Sequence, residues 1–108
     1  MKNLLASIEA FRQLDPEIQA QTVVTFLLVA EADPDPIPMR VLAQRSGLAQ
    51  SSVSRNVSAL GAWSRHKRPG LKLLEAHEDI MDRRQKLVSL TASGRRLKTT
   101  LENLSDDH

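Results

Sequence analysis

Five short polar side chains and one arginine, Gln50, Ser51, Ser52, Ser54, Arg55 and Ser58, lie within nine consecutive residues. On a helix, at 100° per residue, Ser51, Arg55, Ser58 and Ala62 fall on one side, with Ser52 and Ala59 flanking them. A face this small and polar can enter a DNA major groove, where arginine pairs with guanine and serine adapts to base or phosphate. A second constellation is Asp82-Arg83-Arg84, in which a carboxylate two residues before an arginine can hold its guanidinium fork by charge-assisted hydrogen bonds. On an extended segment both side chains would leave the same face. Catalytic patterns are absent. His66, His77 and His108 lack paired-ligand spacing, the four glycines do not cluster into a phosphate loop, and no serine sits in a nucleophile elbow. Glu75, Glu78, Asp79 and Asp82 could attract a cation, but orienting the neighbouring arginines is the favoured role. Neither metal, cofactor nor enzymatic activity is expected.

The elements needed to present these residues can be read around them. Met39 to Gly47 forms one helix, with small Ala43 at a close crossing and Gly47 where the chain must turn with φ > 0. A second helix begins near Gln50 or Ser51, continues to about Arg65, and buries a stripe of Val53, Val57 and Leu60. Leu71–Ala76 and Lys86–Thr91 are expected to be strands of a hairpin whose polar tip is residues 77–85. A helix-turn-helix followed by such a hairpin is mainly α with a small β wing, a winged helix-turn-helix. Trp63 is expected to anchor the hairpin to the recognition helix rather than to stack on a base.

Upstream, a short helix spans Asn3 to Leu14. Asp15-Pro16 reads as a cap and first helical residue, so a longer helix runs from Glu17 to about Ala32. Its centre, Val23 to Ala30, is apolar nearly all round and should be buried. Three alternate prolines force residues 33–38 into an extended path, with Ile37 able to supply a short strand. After the wing, Thr91-Ala92-Ser93-Gly94 resembles a turn and cap leading into a last helix with a Leu97, Leu101, Leu104 stripe.

The segment Asp82-x-Arg84-x-x-x-Val88-x-Leu90-Thr91-x-x-Gly94 closely resembles the wing signature of the MarR family of transcriptional regulators. Glu78 to Arg84 and Ser52-Val53-Ser54-Arg55 are similar to that family's wing tip and recognition helix. The resemblance covers roughly residues 20 to 105. It implies that Asp82 braces the wing and that Arg83 or Arg84 enters the minor groove, where narrow A·T-rich stretches attract arginine. It also implies a homodimer whose terminal helices (1–32 and 92–108) cross between subunits. Leu4, Ile8, Phe11, Leu97, Leu101 and Leu104 would then lie in the dimer contact; the alternative is that these two helices satisfy each other within one chain. The chain is short for this family. It has no Tyr and few aromatics to line an effector pocket, so no small-molecule effector is expected.

The chain has 108 residues, so one domain is the natural expectation. It has no cysteine, which excludes disulfides and thiolate chemistry and fits a reducing cytoplasm. No apolar run reaches the roughly 20 residues that span a bilayer, and no signal-peptide pattern opens the chain. The net charge of +2 conceals a segregation. Residues 1–39 carry two basic and six acidic side chains (net −4), residues 40–98 thirteen and four (net +9), and residues 99–108 a net −3. Positive charge therefore coincides with the segment expected to meet DNA.

The expected function is a dimeric, sequence-specific double-stranded-DNA-binding regulator, a repressor by occlusion, recognising a near-palindromic site. Gln50, Ser51, Ser52, Ser54, Arg55 and Ser58 would face the major groove, with Arg83 and Arg84 at the minor groove. Arg40, Arg45, Arg65, Lys67, Arg68 and Lys86 would neutralise backbone phosphates. A winged-helix protein adaptor and a replication or partition factor are the alternatives.

Overall fold

The computed structural model describes residues 1–62 and 69–105. Within them, helices α1 (Lys2–Leu14) and α2 (Ala20–Ala32) lead through strand β1 (Ile37–Pro38) to helices α3 (Met39–Ser46) and α4 (Gln50–Leu60). Strands β2 (Leu74–Glu78) and β3 (Lys86–Leu90) and helix α5 (Ala92–Ser105) follow. The three strands form one antiparallel sheet in the order β1-β3-β2. Its register pairs Ile37 with Val88, Leu74 with Leu90 and Glu78 with Lys86. This is the expected winged helix-turn-helix.

Its core lies where α2, α3 and α4 meet the inner face of the hairpin. Phe26, Val29, Leu42, Val53, Leu60, Leu74, Val88 and Leu90 are all buried there. Phe11 of α1 meets Phe26 edge to face at 5.6 Å between ring centroids, a geometry worth about 0.5–1.5 kcal/mol beyond the area buried.

The helix-turn-helix turns at Gly47, as its spacing predicts, with φ +71. A Cβ there would have open space around it, so the glycine answers the left-handed backbone and not crowding.

Strand β2 runs two residues past the expected Ala76, pairing His77 and Glu78 with Leu87 and Lys86, so the tip is residues 79–85. Three other boundaries differ from those read in the sequence. First, α2 starts at Ala20, not Glu17. Asp15 caps a turn instead of the helix: its carboxylate accepts the Glu17 amide at 3.0 Å, and its carbonyl accepts the Ile18 amide at 3.1 Å. Second, α4 ends at Leu60, not near Arg65, because Gly61 turns the backbone into an extended conformation. Third, β2 begins three residues later than expected. Leu71, Lys72 and Leu73 donate their amides to the carbonyls of Ala59, Gly61 and Leu60. The end of α4 thus captures the residues that would have opened the strand, satisfying carbonyls that a helix terminus leaves orphaned.

Helix α2 is less enclosed than its composition predicts. Thr22, Thr25, Phe26, Val29 and Ala30 are buried, whereas Val24 and Leu27 are 41% and 44% exposed. Helix α5 begins with a side-chain cap: Thr91 Oγ1 accepts the Gly94 amide at 3.0 Å and donates to the Lys72 carbonyl at 2.7 Å. Arg95 and Lys98 of α5 then reach Asp33 beyond α2, at 3.2 and 3.4 Å. No helix among the described residues is long and apolar enough to cross a membrane.

Candidate nucleic-acid interface

Helix α4 faces inward with Val53, Asn56, Val57 and Leu60, and outward with Ser51, Ser54 and Arg55. Ser51, Ser54, Arg55 and Ser58 together line a shallow depression on the exposed side. Ser52 and Ser58 are half-buried at its edges. This outward face is small and carries one long cation, a shape that fits a groove of DNA.

Asn56 fixes which face points outward, and sequence reasoning missed it. It is 5% exposed. Its Nδ2 donates to Thr25 Oγ1 at 3.1 Å and to the Gln21 carbonyl at 3.4 Å, and its Oδ1 accepts from Thr22 Oγ1 at 3.3 Å. Each polar group of the side chain is thereby paired with α2, as burial demands. Rotating α4 about its axis would break all three bonds at once. The available signal was a polar residue placed at helical spacing among Val53, Val57 and Leu60.

The wing tip is also built from polar clasps. The Asp79 carboxylate accepts the Met81 amide at 2.9 Å and the Gln85 side-chain amide at 3.0 Å. Backbone bonds from Asp79 to the Gln85 carbonyl, Asp82 to the Asp79 carbonyl and Gln85 to the Asp82 carbonyl close the loop. Asp82 Oδ1 accepts the Arg84 amide at 3.1 Å and Arg84 Nε at 3.3 Å. The contact between Asp82 and Arg84 therefore exists, but in a turn and not across an extended strand as the spacing predicted. Arg83 and Arg84 are both exposed, the Arg84 side chain 92% so.

Helix and wing converge. One cleft is lined by Arg40 at the start of α3, Gln50 at the start of α4, and Asp82, Arg84, Gln85 and Lys86 of the wing. Arg40 Nε donates to Gln85 Oε1 at 2.9 Å, tying α3 to the hairpin. Arg45 stands further back, 3.9 Å from Glu31 of α2 with both side chains largely exposed. Such a contact contributes little. Trp63, Arg65, Lys67 and Arg68 lie outside the described residues, as do His66 and His108. Among the described residues no group of three His, Asp or Glu side chains is placed to hold a metal ion.

The terminal helices correct part of the expected dimer contact. Phe11 is 1% exposed within a single chain, locked against Phe26, and cannot also serve a partner. Helices α1 and α5 pack on each other, and Leu97 and Leu101 are half-buried against the core of their own chain. Leu104 is half-buried as well. Leu4, Leu5 and Ile8 remain 60%, 63% and 40% exposed. Leu4, Leu27 and Leu101 line an open groove between α1, α2 and α5.

No protein-family model matches this sequence, and no curated protein sequence does either. Solved structures do. The transcriptional regulator PcaV of Streptomyces coelicolor, determined with its natural ligand, is 26% identical with a TM-score of 0.62, over 88% of this chain and 64% of its own. MepR of Staphylococcus aureus, determined in complex with DNA, is 21% identical with a TM-score of 0.74, over 97% and 74%. A MarR-family regulator of a Rhodococcus species is 23% identical with a TM-score of 0.62, over 97% and 61%. This chain thus spans a little under two thirds of PcaV and of the Rhodococcus protein. The fold is the MarR-type winged helix, and PcaV and the Rhodococcus protein are transcriptional regulators.

Proposed function

We propose that this protein is a sequence-specific double-stranded-DNA-binding regulator of transcription that acts as a homodimer and represses by occluding its site. The observation that carries the reading is the convergence of α4 and the wing. The exposed Arg55 face of α4 and the cationic wing side chains Arg84 and Lys86 adjoin through the cleft that begins at Gln50. Two neighbouring grooves of a duplex need contacts arranged in this way. The similarity in fold to MepR, whose structure contains DNA, supports the same reading.

In this arrangement Arg55 reads a guanine, and Gln50, Ser51, Ser52, Ser54 and Ser58 adapt to base edges or phosphates around it. Arg83 and Arg84 reach the minor groove. Arg40, Arg45 and Lys86, with Arg65, Lys67 and Arg68, neutralise phosphates. The exposed apolar surface of α1 and α2 supports pairing with a second copy, which would place the two α4 helices about one turn of DNA, roughly 34 Å, apart. The absence of cysteine is consistent with a cytoplasmic setting.

Selection of bound sequences from a random duplex pool, followed by sizing of the complex, tests binding, symmetry and stoichiometry together. A near-palindromic consensus held by two chains is expected. Arg55→Ala should then cost about 1–3 kcal/mol of affinity and relax preference at one base pair per half-site. Unchanged affinity and unchanged preference in that variant would remove α4 from the groove.

A further inference from the structure

We propose that Ile80 and Met81 form an apolar wedge at the wing tip that inserts between base pairs from the minor groove and bends the bound duplex. The inference rests on the DNA-binding reading above and adds a second mode of contact to it. Ile80 is 93% exposed and Met81 91% exposed, so neither supports the fold. The buried side chains of the hairpin are Leu74 and Leu90 at the end opposite the tip and Val88 at mid-strand. Scattered exposed apolar residues are ordinary. Two consecutive ones on a tip that is held rigid are not.

The rigidity is specific to these positions. The Met81 amide is bound by the Asp79 carboxylate, and the chain closes behind the pair through the Asp82 amide on the Asp79 carbonyl. A side chain presented on a fixed turn gives up little further freedom on binding. Charge selects the partner. Arg83 and Arg84 follow directly and are exposed. The nearby carboxylates are engaged: Asp79 by Met81 and Gln85, Asp82 by Arg84, while Glu78 stands opposite Lys86 in the sheet register. The partners of Asp79 are neutral amides, so its charge stays uncompensated. With Arg40 held against Gln85, four cations (Arg40, Arg83, Arg84, Lys86) stand beside three carboxylates (Glu78, Asp79, Asp82). This small positive excess favours a polyanion over an acidic protein surface. Apolar wedges beside arginines open base steps at a cost that is least for pyrimidine–purine steps, and the bend wraps more DNA onto the protein.

The test uses the full chain, its selected duplex, and the double variant Ile80→Ser, Met81→Ser, with bending read by energy transfer between labelled duplex ends. Because both side chains are exposed, the melting temperature of the variant should equal that of the parent. The variant should bind roughly tenfold more weakly and lose the bend, with an unaltered salt slope because no charge has changed. Replacing TA or CA steps under the wing by stiffer ones should weaken the parent but not the variant. Equal affinity and equal bend in parent and variant would overturn the wedge while leaving DNA binding intact. A variant that changes oligomeric state instead would make the tip a contact between copies and likewise overturn it. If the parent binds no duplex at about 50 mM salt, the DNA-binding reading falls, and the wedge with it.

Discussion

Asn56 shows how a single side chain can set what its neighbours do. The valine and leucine stripe of α4 would tolerate some rotation about the helix axis, since apolar contacts are non-directional. The amide does not tolerate it: it meets Thr22, Thr25 and the Gln21 carbonyl, all three bonds running from α4 to α2. Asn56→Leu should therefore lower stability by about 1–3 kcal/mol, since it strands the Thr22 hydroxyl and leaves Thr25 with only its own bond to the Gln21 carbonyl. Thermal denaturation should register a fall of about 4–8 °C per kcal/mol for a domain of this size. Adding Thr22→Val to Asn56→Leu should recover part of that loss, because the hydroxyl left without its acceptor is removed; fully additive losses would mean the groups do not act as a network. Gly94 was legible as part of the wing resemblance and of a turn and cap into the last helix, and the structure supplies a further reason for it. A Cβ there would stand 2.2 Å from the Leu73 carbonyl oxygen. Gly94→Ala should cost about 1–3 kcal/mol by forcing α5 off the hairpin. A melting temperature unchanged by Gly94→Ala would show that the helix yields freely.

The elements themselves were largely readable, because each carries its own period. Helices α3 and α4 declared themselves through Gly47 and the Val53, Val57, Leu60 spacing, and the hairpin through two apolar runs around a polar tip. The boundaries were not readable, because distant backbone decides them. Leu71 to Leu73 look like the start of a strand, yet their amides cap the end of α4, and Lys72 adopts φ +59 to make that possible. Thr91 links the same segment to α5 by donating to Lys72 and accepting from Gly94. Thr91→Val removes the hydroxyl while keeping the branched shape. It should cost about 1 kcal/mol as a lost cap. Hydrogen exchange should then quicken at the first turn of α5, while α2 and α3 stay protected. Uniform quickening throughout the protein would instead mean that Thr91 acts on global stability alone.

Charge and apolar surface divide the protein into two ends, and only one of them was fully visible in the sequence. The basic block of residues 40–98 was read as a single DNA footprint, but Arg95 and Lys98 are committed to Asp33 and fasten α5 to the end of α2. The described cations that the proposed DNA face draws on are those of α3, α4 and the wing, and Lys72 and Arg96 of the same block belong to none of these. At the other end, Phe11 turns into its own core, and α1 is left with Leu4, Leu5 and Ile8 in solvent beside Val24 and Leu27 of α2. The proposed second copy would cover this surface and account for residues so apolar not being buried within one chain. Leu5 is 63% exposed, so Leu5→Glu should leave the monomer fold unchanged by circular dichroism. In sedimentation equilibrium it should convert a dimer into a monomer, because two carboxylates would be forced together across the seam. DNA binding should follow. With the second half-site no longer tethered, affinity for the palindrome should fall by about 10²–10⁴, toward that for a single half-site. The slope of log affinity against log salt should roughly halve, because half as many phosphates are neutralised. A Leu5→Glu protein that still sediments as a dimer would move the seam away from α1, and the groove lined by Leu4, Leu27 and Leu101 would need another occupant.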